Sequence, residues 1–190
     1  MSANDLKIRC FIAGAEKAGT SYLLAYLGQS KKVGIPTISG ETSDAEYSSE
    51  FPYFLSDSVD LGIDIDTVIS TRLPKDFDPE QQLIIAKNVD MCTDRAAMER
   101  LRLHSPDVKI IFLLREPIAR ALSAHSYQIF RGAESVEDFT TAANECLENL
   151  RVNDRHTDYL RRSCYSTQIS DLLEVFGEDR CLFLFFEDVV

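Results

Sequence analysis

Lys7-Ile-Arg-Cys-Phe-Ile-Ala13 runs straight into Gly14-Ala-Glu-Lys17-Ala-Gly19-Thr20-Ser21, and then into an apolar stretch ending at Leu27. A continuous apolar run, a glycine-bracketed loop and a helical pattern, in that order, read as strand, turn and helix start. Such a turn can cradle an anion. Glycines let backbone N–H groups converge, and the helix N-terminus adds partial positive charge. The glycine spacing matches the nucleoside-triphosphate loop G-x-x-x-x-G-K-[ST], but Thr20 stands at the lysine position and Lys17 lies inside the loop. The ligand is therefore anionic, with chemistry other than that of an ordinary ATPase. A tight turn with a capping Thr or Ser is the competing reading of this segment alone.

Three further apolar runs share this character: Leu83–Ala86, Val108–Leu114 and Cys181–Phe186. Continuous rather than alternating hydrophobicity marks strands buried on both faces. Helical patterns lie at Ser21–Leu27, Arg95–Leu103, Pro117–Phe130, Val136–Leu150 and Tyr165–Phe176, with Gly177 placed to stop the last and Pro117 in a first turn. Strands alternating with helices predict a three-layer α/β fold, a mainly parallel central sheet flanked by helices.

The 190 residues read as one domain, with 45% hydrophobic and 27% charged residues and no internal repeat. Acidic residues outnumber basic ones 31 to 20. Between Glu41 and Glu80 there are eleven carboxylates against Arg72 and Lys75, so this stretch reads as an irregular acidic insertion over about residues 41–80. An acidic chain lacks the basic footprint that nucleic acid requires, and no apolar run reaches the ~20 residues of a membrane span. Five scattered cysteines without ligand spacing and a polar start predict a cytoplasmic protein without a disulfide framework or structural zinc. Association with like chains stays open.

A second constellation follows Val108–Leu114: Arg115-Glu-Pro117-Ile-Ala-Arg120-Ala-Leu-Ser123. Arg115 leaves the carboxyl end of a buried strand, where open α/β sheets place their ligands, and Ser123 lies two helical turns on. A guanidinium and a hydroxyl can grip one phosphate from two sides. Pairing of Arg115 with a nearby carboxylate is the alternative.

Residues 7–27 resemble the 5′-phosphosulfate loop of sulfotransferases that use 3′-phosphoadenosine 5′-phosphosulfate (PAPS). Residues 109–132 resemble the 3′-phosphate motif of that family, Arg-x-Pro-x-x-Arg-x-x-Ser. Tyr165–Gly177, continuing through Cys181-Leu-Phe-Leu-Phe-Phe-Glu-Asp-Val189, resembles the late Tyr-bearing helix and Phe-Glu-Asp ending. The resemblance implies a P-loop NTPase-like sulfotransferase fold, PAPS as donor and PAP as product, with no metal. It places Lys17, Ala18, Gly19, Thr20 and Ser21 on the 5′-phosphosulfate, Arg115 and Ser123 on the 3′-phosphate, and Tyr165 near the nucleotide. Lys17 is the implied stabiliser of the leaving oxygen. Lys87 matches a strand-end lysine that assists at the sulfuryl group, and Glu41 is the nearest glutamate for an acceptor base, with Asp44 and Glu46 competing. None of the three histidines sits at a base position.

The implied acceptor is a hydroxyl or amine of a glycan, lipid or small alcohol, with polyanions disfavoured by the acidic stretch. Family members usually continue past the Phe-Glu-Asp ending into a segment that covers the donor. Its absence predicts slow turnover, and a PAP-binding module without turnover is the alternative, a P-loop kinase the remoter one.

Overall fold

The computed structural model describes residues 6–37, 50–55, 62–148 and 157–189. Five strands are found among them: β1 (Ile8–Ile12), β2 (Val33–Gly34), β3 (Leu83–Lys87), β4 (Lys109–Leu114) and β5 (Cys181–Phe185). They form one sheet in the order β2-β3-β1-β4-β5, and every neighbouring pair is parallel. The central strand β1 pairs Phe11 with Ala86 and Ile12 with Lys87 on one side, and Phe11 with Ile110 and Ile12 with Ile111 on the other. Its interior is consequently sealed, with Ile8, Phe11 and Ile12 fully buried. The runs at β1, β3 and β4 thus became inner strands, whereas Cys181–Phe186 became the edge strand β5, with Leu182 and Phe185 exposed.

Seven α-helices accompany them among the described residues: α1 (Thr20–Gly28), α2 (Ile65–Arg72), α3 (Arg95–His104), α4 (Pro117–Phe130), α5 (Phe139–Leu147), α6 (Tyr165–Phe176) and α7 (Phe186–Val189). Helix α1 packs against β2 and β3, α6 against β4 and β5, and α3 against α6. The start of α4 follows from its first residues. Pro117 occupies the first turn, and the Glu116 carboxylate accepts from the amides of Ile118 (3.0 Å) and Ala119 (2.6 Å). A small second core joins Ala121 and Ala124 of α4 to Ala142 of α5 and to Tyr159. His125 belongs to this core: its Nε2 lies 2.7 Å from the Val136 carbonyl oxygen, and its ring meets Phe139 and Tyr159 edge-on.

Two expectations need correction. The stretch 41–80 is not simply an irregular excursion. Helix α2 lies within it, capped by Asp64, whose side chain accepts from the Asp66 amide (3.2 Å) and the Thr67 hydroxyl (2.6 Å). Phe51 and Phe54 in the same stretch are core residues, and Phe54 packs edge-on against Phe11 at 6.2 Å. The second correction concerns α5, which begins at Phe139 rather than Val136. The Asp138 carboxylate takes the Thr141 amide (2.8 Å), while the Val136 amide is held by the Glu134 side chain (2.8 Å). A competing side-chain acceptor upstream delays the helix. Residues 149 and 150, its expected end, lie outside the described residues.

Candidate functional site

The carboxyl ends of β1, β3 and β4 open onto a cavity of about 590 Å³. The first wall is the loop after β1. Its opening residues prolong the sheet: the Ala13 amide donates to Ile111 O, the Ala15 amide to Leu113 O, and the Leu113 amide to Gly14 O, at 2.8–2.9 Å. Gly14 is required here. Its φ is +136°, and a Cβ would come within 2.9 Å of Cys92 Sγ and 3.1 Å of the Phe112 ring. Gly19 caps α1 with φ +84°, and Lys17 itself takes φ +62°, a conformation that costs a non-glycine residue of the order of 1–2 kcal/mol. Strain at this one lysine is a local cost that the surrounding loop supports.

Lys17, Gly19, Thr20, Ser21, Arg115 and Ser123 all line this cavity. Arg115 Nη1 donates to the Lys17 carbonyl oxygen at 2.9 Å, so the two motifs meet directly although 98 residues apart. The Lys17 ammonium rests 4.0 Å from the centroid of the Tyr127 ring, and the Arg115 guanidinium 4.4 Å from that of Phe186. Neither cation forms an ion pair among the described residues. Partial burial pushes the Lys17 ammonium below its ordinary range, and the Arg115 charge adds to this, while Glu16 opposes it.

Lys87 ends β3 below the cavity. Its side chain is 1% exposed, and its Nζ donates to Ser21 Oγ at 3.3 Å and to Glu50. Glu50 lines the cavity, and its other oxygen accepts from the Val89 amide at 2.9 Å. Burial pushes the Glu50 carboxyl upward, against the opposing influence of Lys87 and the Val89 amide. The chain is pinned at this point because the Phe51 amide donates to Lys87 O at 2.6 Å and Phe54 is buried.

Ala18 is fully buried and outside the lining, its amide donating to Ala15 O at 3.2 Å. Tyr165 also stands outside the lining. Its hydroxyl donates to Arg115 O at 3.0 Å, which braces the end of β4. Glu41, like Asp44 and Glu46, lies outside the described residues. Glu50 was missed in the sequence because its partner Lys87 is 37 residues away. The available signal was its place directly before the aromatic run Phe51–Leu55, where the chain must return to the core. Tyr127, Gln128 and Arg131 of α4 and its C-cap also line the cavity and had no signal beyond helical spacing from Ser123.

A sulfotransferase from Alicyclobacillus acidocaldarius superposes on 96% of this chain and 74% of its own, with a TM-score of 0.75 at 22% identity. This chain has the sulfotransferase fold. The sulfotransferase domain of the curacin biosynthetic pathway matches 97% of the chain and 69% of its own length, with a TM-score of 0.51 at 12% identity. No protein-family model and no curated relative matches the sequence. No described helix is long and apolar enough to cross a membrane.

Proposed function

We propose that this sulfotransferase-fold chain transfers a sulfuryl group from PAPS to a hydroxyl or amine of a glycan, lipid or small alcohol. The observation that carries this reading is the pairing, across one cavity, of two cations that lack carboxylate partners among the described residues with a half-buried carboxylate held by a buried lysine. Lys17 and Arg115 are the cations; Glu50, held by Lys87, is the carboxylate. The residues fit a donor with phosphate at both ends. The first-turn amides of α1 have no intrahelical acceptors, Lys17, Thr20 and Ser21 line the cavity at this helix start, and Arg115 with Ser123 offers a fork and a hydroxyl on the same lining.

Glu50, rather than Glu41, is the acceptor base in this reading. It takes the proton of the attacking hydroxyl or amine as the new bond to sulfur forms. The bond from sulfur to the bridging phosphate oxygen breaks, and its electron pair stays on that oxygen, where the Lys17 ammonium stabilises the growing charge. The products are PAP and a sulfate ester, or a sulfamate from an amine. Lys87 orients Glu50 and ties it to Ser21 at the start of α1. Chemistry of this kind depends on in-line positioning more than on covalent help from the protein.

The test is incubation with PAPS labelled at sulfur and a panel of sugars, aliphatic alcohols, phenols and amines, followed by separation of products. Label in an acceptor, with one PAP formed per sulfated product, is expected. Label that stays in PAPS across the panel while PAP binds would overturn turnover and leave a nucleotide-binding module.

A further inference from the structure

At the floor of the cavity lies a cluster of four charges that none of these steps uses: Glu16 and Asp90 reach the lining, and Arg120 and Arg162 are buried behind them. Arg162, only 6% exposed, comes from the turn Arg161–Ser163 that leads into α6. Its Nε lies 3.4 Å from Glu16 Oε2, and its Nη2 donates to Asp90 Oδ1 at 2.8 Å. Arg120, fully buried, places Nη1 3.7 Å from the same Glu16 oxygen. It is fixed in turn by hydrogen bonds to Ser163 Oγ (2.6 Å) and Tyr159 O (2.5 Å). Two acids thus face two guanidinium groups, which is how buried charge becomes tolerable.

What the two carboxylates adjoin is the informative feature. Glu16 is the peptide neighbour of Lys17. Asp90 is the neighbour of Val89, whose amide holds Glu50. One planar guanidinium therefore hydrogen-bonds the segment carrying the acceptor base and, through a different nitrogen, ion-pairs with the segment carrying the donor-side cation. The same turn continues to Tyr165, which braces Arg115.

We propose that Arg162 is a positioning residue that holds the donor loop and the acceptor base in mutual register. The proposal rests on the sulfuryl-transfer reading for the identity of the two halves. The planar fork is what the role needs: lysine keeps the charge but cannot present two nitrogens of one rigid plane to two carboxylates. Displacement of reacting groups by about 1 Å can cost roughly 100-fold in rate. Loosening this tie lowers kcat and spares the donor's grip on Arg115 and Ser123.

The experiment uses Arg162→Lys and the milder Asp90→Asn, with thermal melting to confirm folding. PAP affinity is read by calorimetry, and PAP release from PAPS is read with water and with p-nitrophenol as acceptors. In folded variants, kcat should fall about 10- to 100-fold while PAP affinity stays within about threefold. An acceptor-independent readout runs beside it. Asp90→Asn should shift the amide resonances of Lys17 and Gly19, and the shift should disappear when Arg162 is already lysine. Lowered melting temperature with unchanged kcat, or loop amides that ignore Asp90→Asn, would overturn the proposal and leave Arg162 a stabilising residue only. If Arg162→Lys fails to fold, Asp90→Asn decides by the same two criteria. Failure of the wild-type chain to bind PAP would instead defeat the sulfuryl-transfer reading, and the amide coupling would still be read.

Discussion

The two sides of the cavity that the proposal assigns to donor and to acceptor are built in different ways. The donor side comes from two contiguous motifs, each a strand end followed by a helix start, with Lys17 and Arg115 joined by a single hydrogen bond. Local sequence dictates its geometry: Gly14 and Gly19 set the loop, and Glu116 with Pro117 starts α4. The acceptor side is a tertiary product. Glu50 reaches the cavity because Phe51 and Phe54 anchor an otherwise acidic stretch to the core and the Phe51 amide docks on β3. On the proposed reading, anion binding is written in a short motif, whereas the base depends on long-range packing.

This contrast breaks most clearly at Glu50. Glu50→Gln removes the proton acceptor but keeps the volume and the Val89 hydrogen bond, so kcat should fall roughly 10²- to 10⁴-fold. PAP affinity should stay within a few-fold by calorimetry. A parallel loss of PAP binding would mean that the two sides are not separable. Lys17→Ala attacks the donor side. Loss of one charged donor on the leaving oxygen should lower kcat about 10²- to 10³-fold, and steady-state PAP release measures it. An unchanged kcat would remove Lys17 from the leaving-group role.

The pH profile sharpens the same comparison. Glu50 must be ionised and Lys17 protonated. Burial raises the first carboxyl and lowers the second group's ammonium. Activity should therefore rise with pH only above the ordinary glutamate range and fall below the ordinary lysine range. The result is a bell in kcat/KM narrower than unperturbed groups would produce. Glu50→Gln should remove the acidic limb alone. The smallest effect belongs to Tyr165→Phe, which deletes one hydrogen bond to Arg115 O. At about 0.5–1.5 kcal/mol for such a bond, PAP affinity should weaken by a few-fold to tenfold, with kcat little changed.

The legibility of the molecule follows this division. The apolar runs at Lys7–Ala13, Leu83–Ala86, Val108–Leu114 and Cys181–Phe186 each proved to be a strand within a residue or two of its expected ends; the first three are inner strands, whose burial favours apolar residues, while the last is the half-exposed edge strand β5. Pro117–Phe130 and Tyr165–Phe176 were readable to the residue from their flanking proline and glycine. Strand β2, with two residues, carried no periodicity to read. Helix α2 has three apolar positions, Ile65, Val68 and Ile69, and was hidden among carboxylates that act as caps and surface charge. Among site residues, Lys17, Gly19, Thr20, Ser21, Arg115 and Ser123 were named from their motifs and share one cavity. Glu50, Glu16 and Asp90 were not, because each gains its place from a partner distant in sequence.

The most direct test of the central claim, that Lys17 and Arg115 form a bis-phosphate donor site, is calorimetric titration with PAP and with ATP, repeated on Arg115→Ala. The account predicts that PAP binds more tightly than ATP, and that Arg115→Ala weakens PAP by roughly 10- to 100-fold, as loss of a charge-assisted phosphate contact should. Preference for ATP, or PAP binding indifferent to Arg115→Ala, would contradict it.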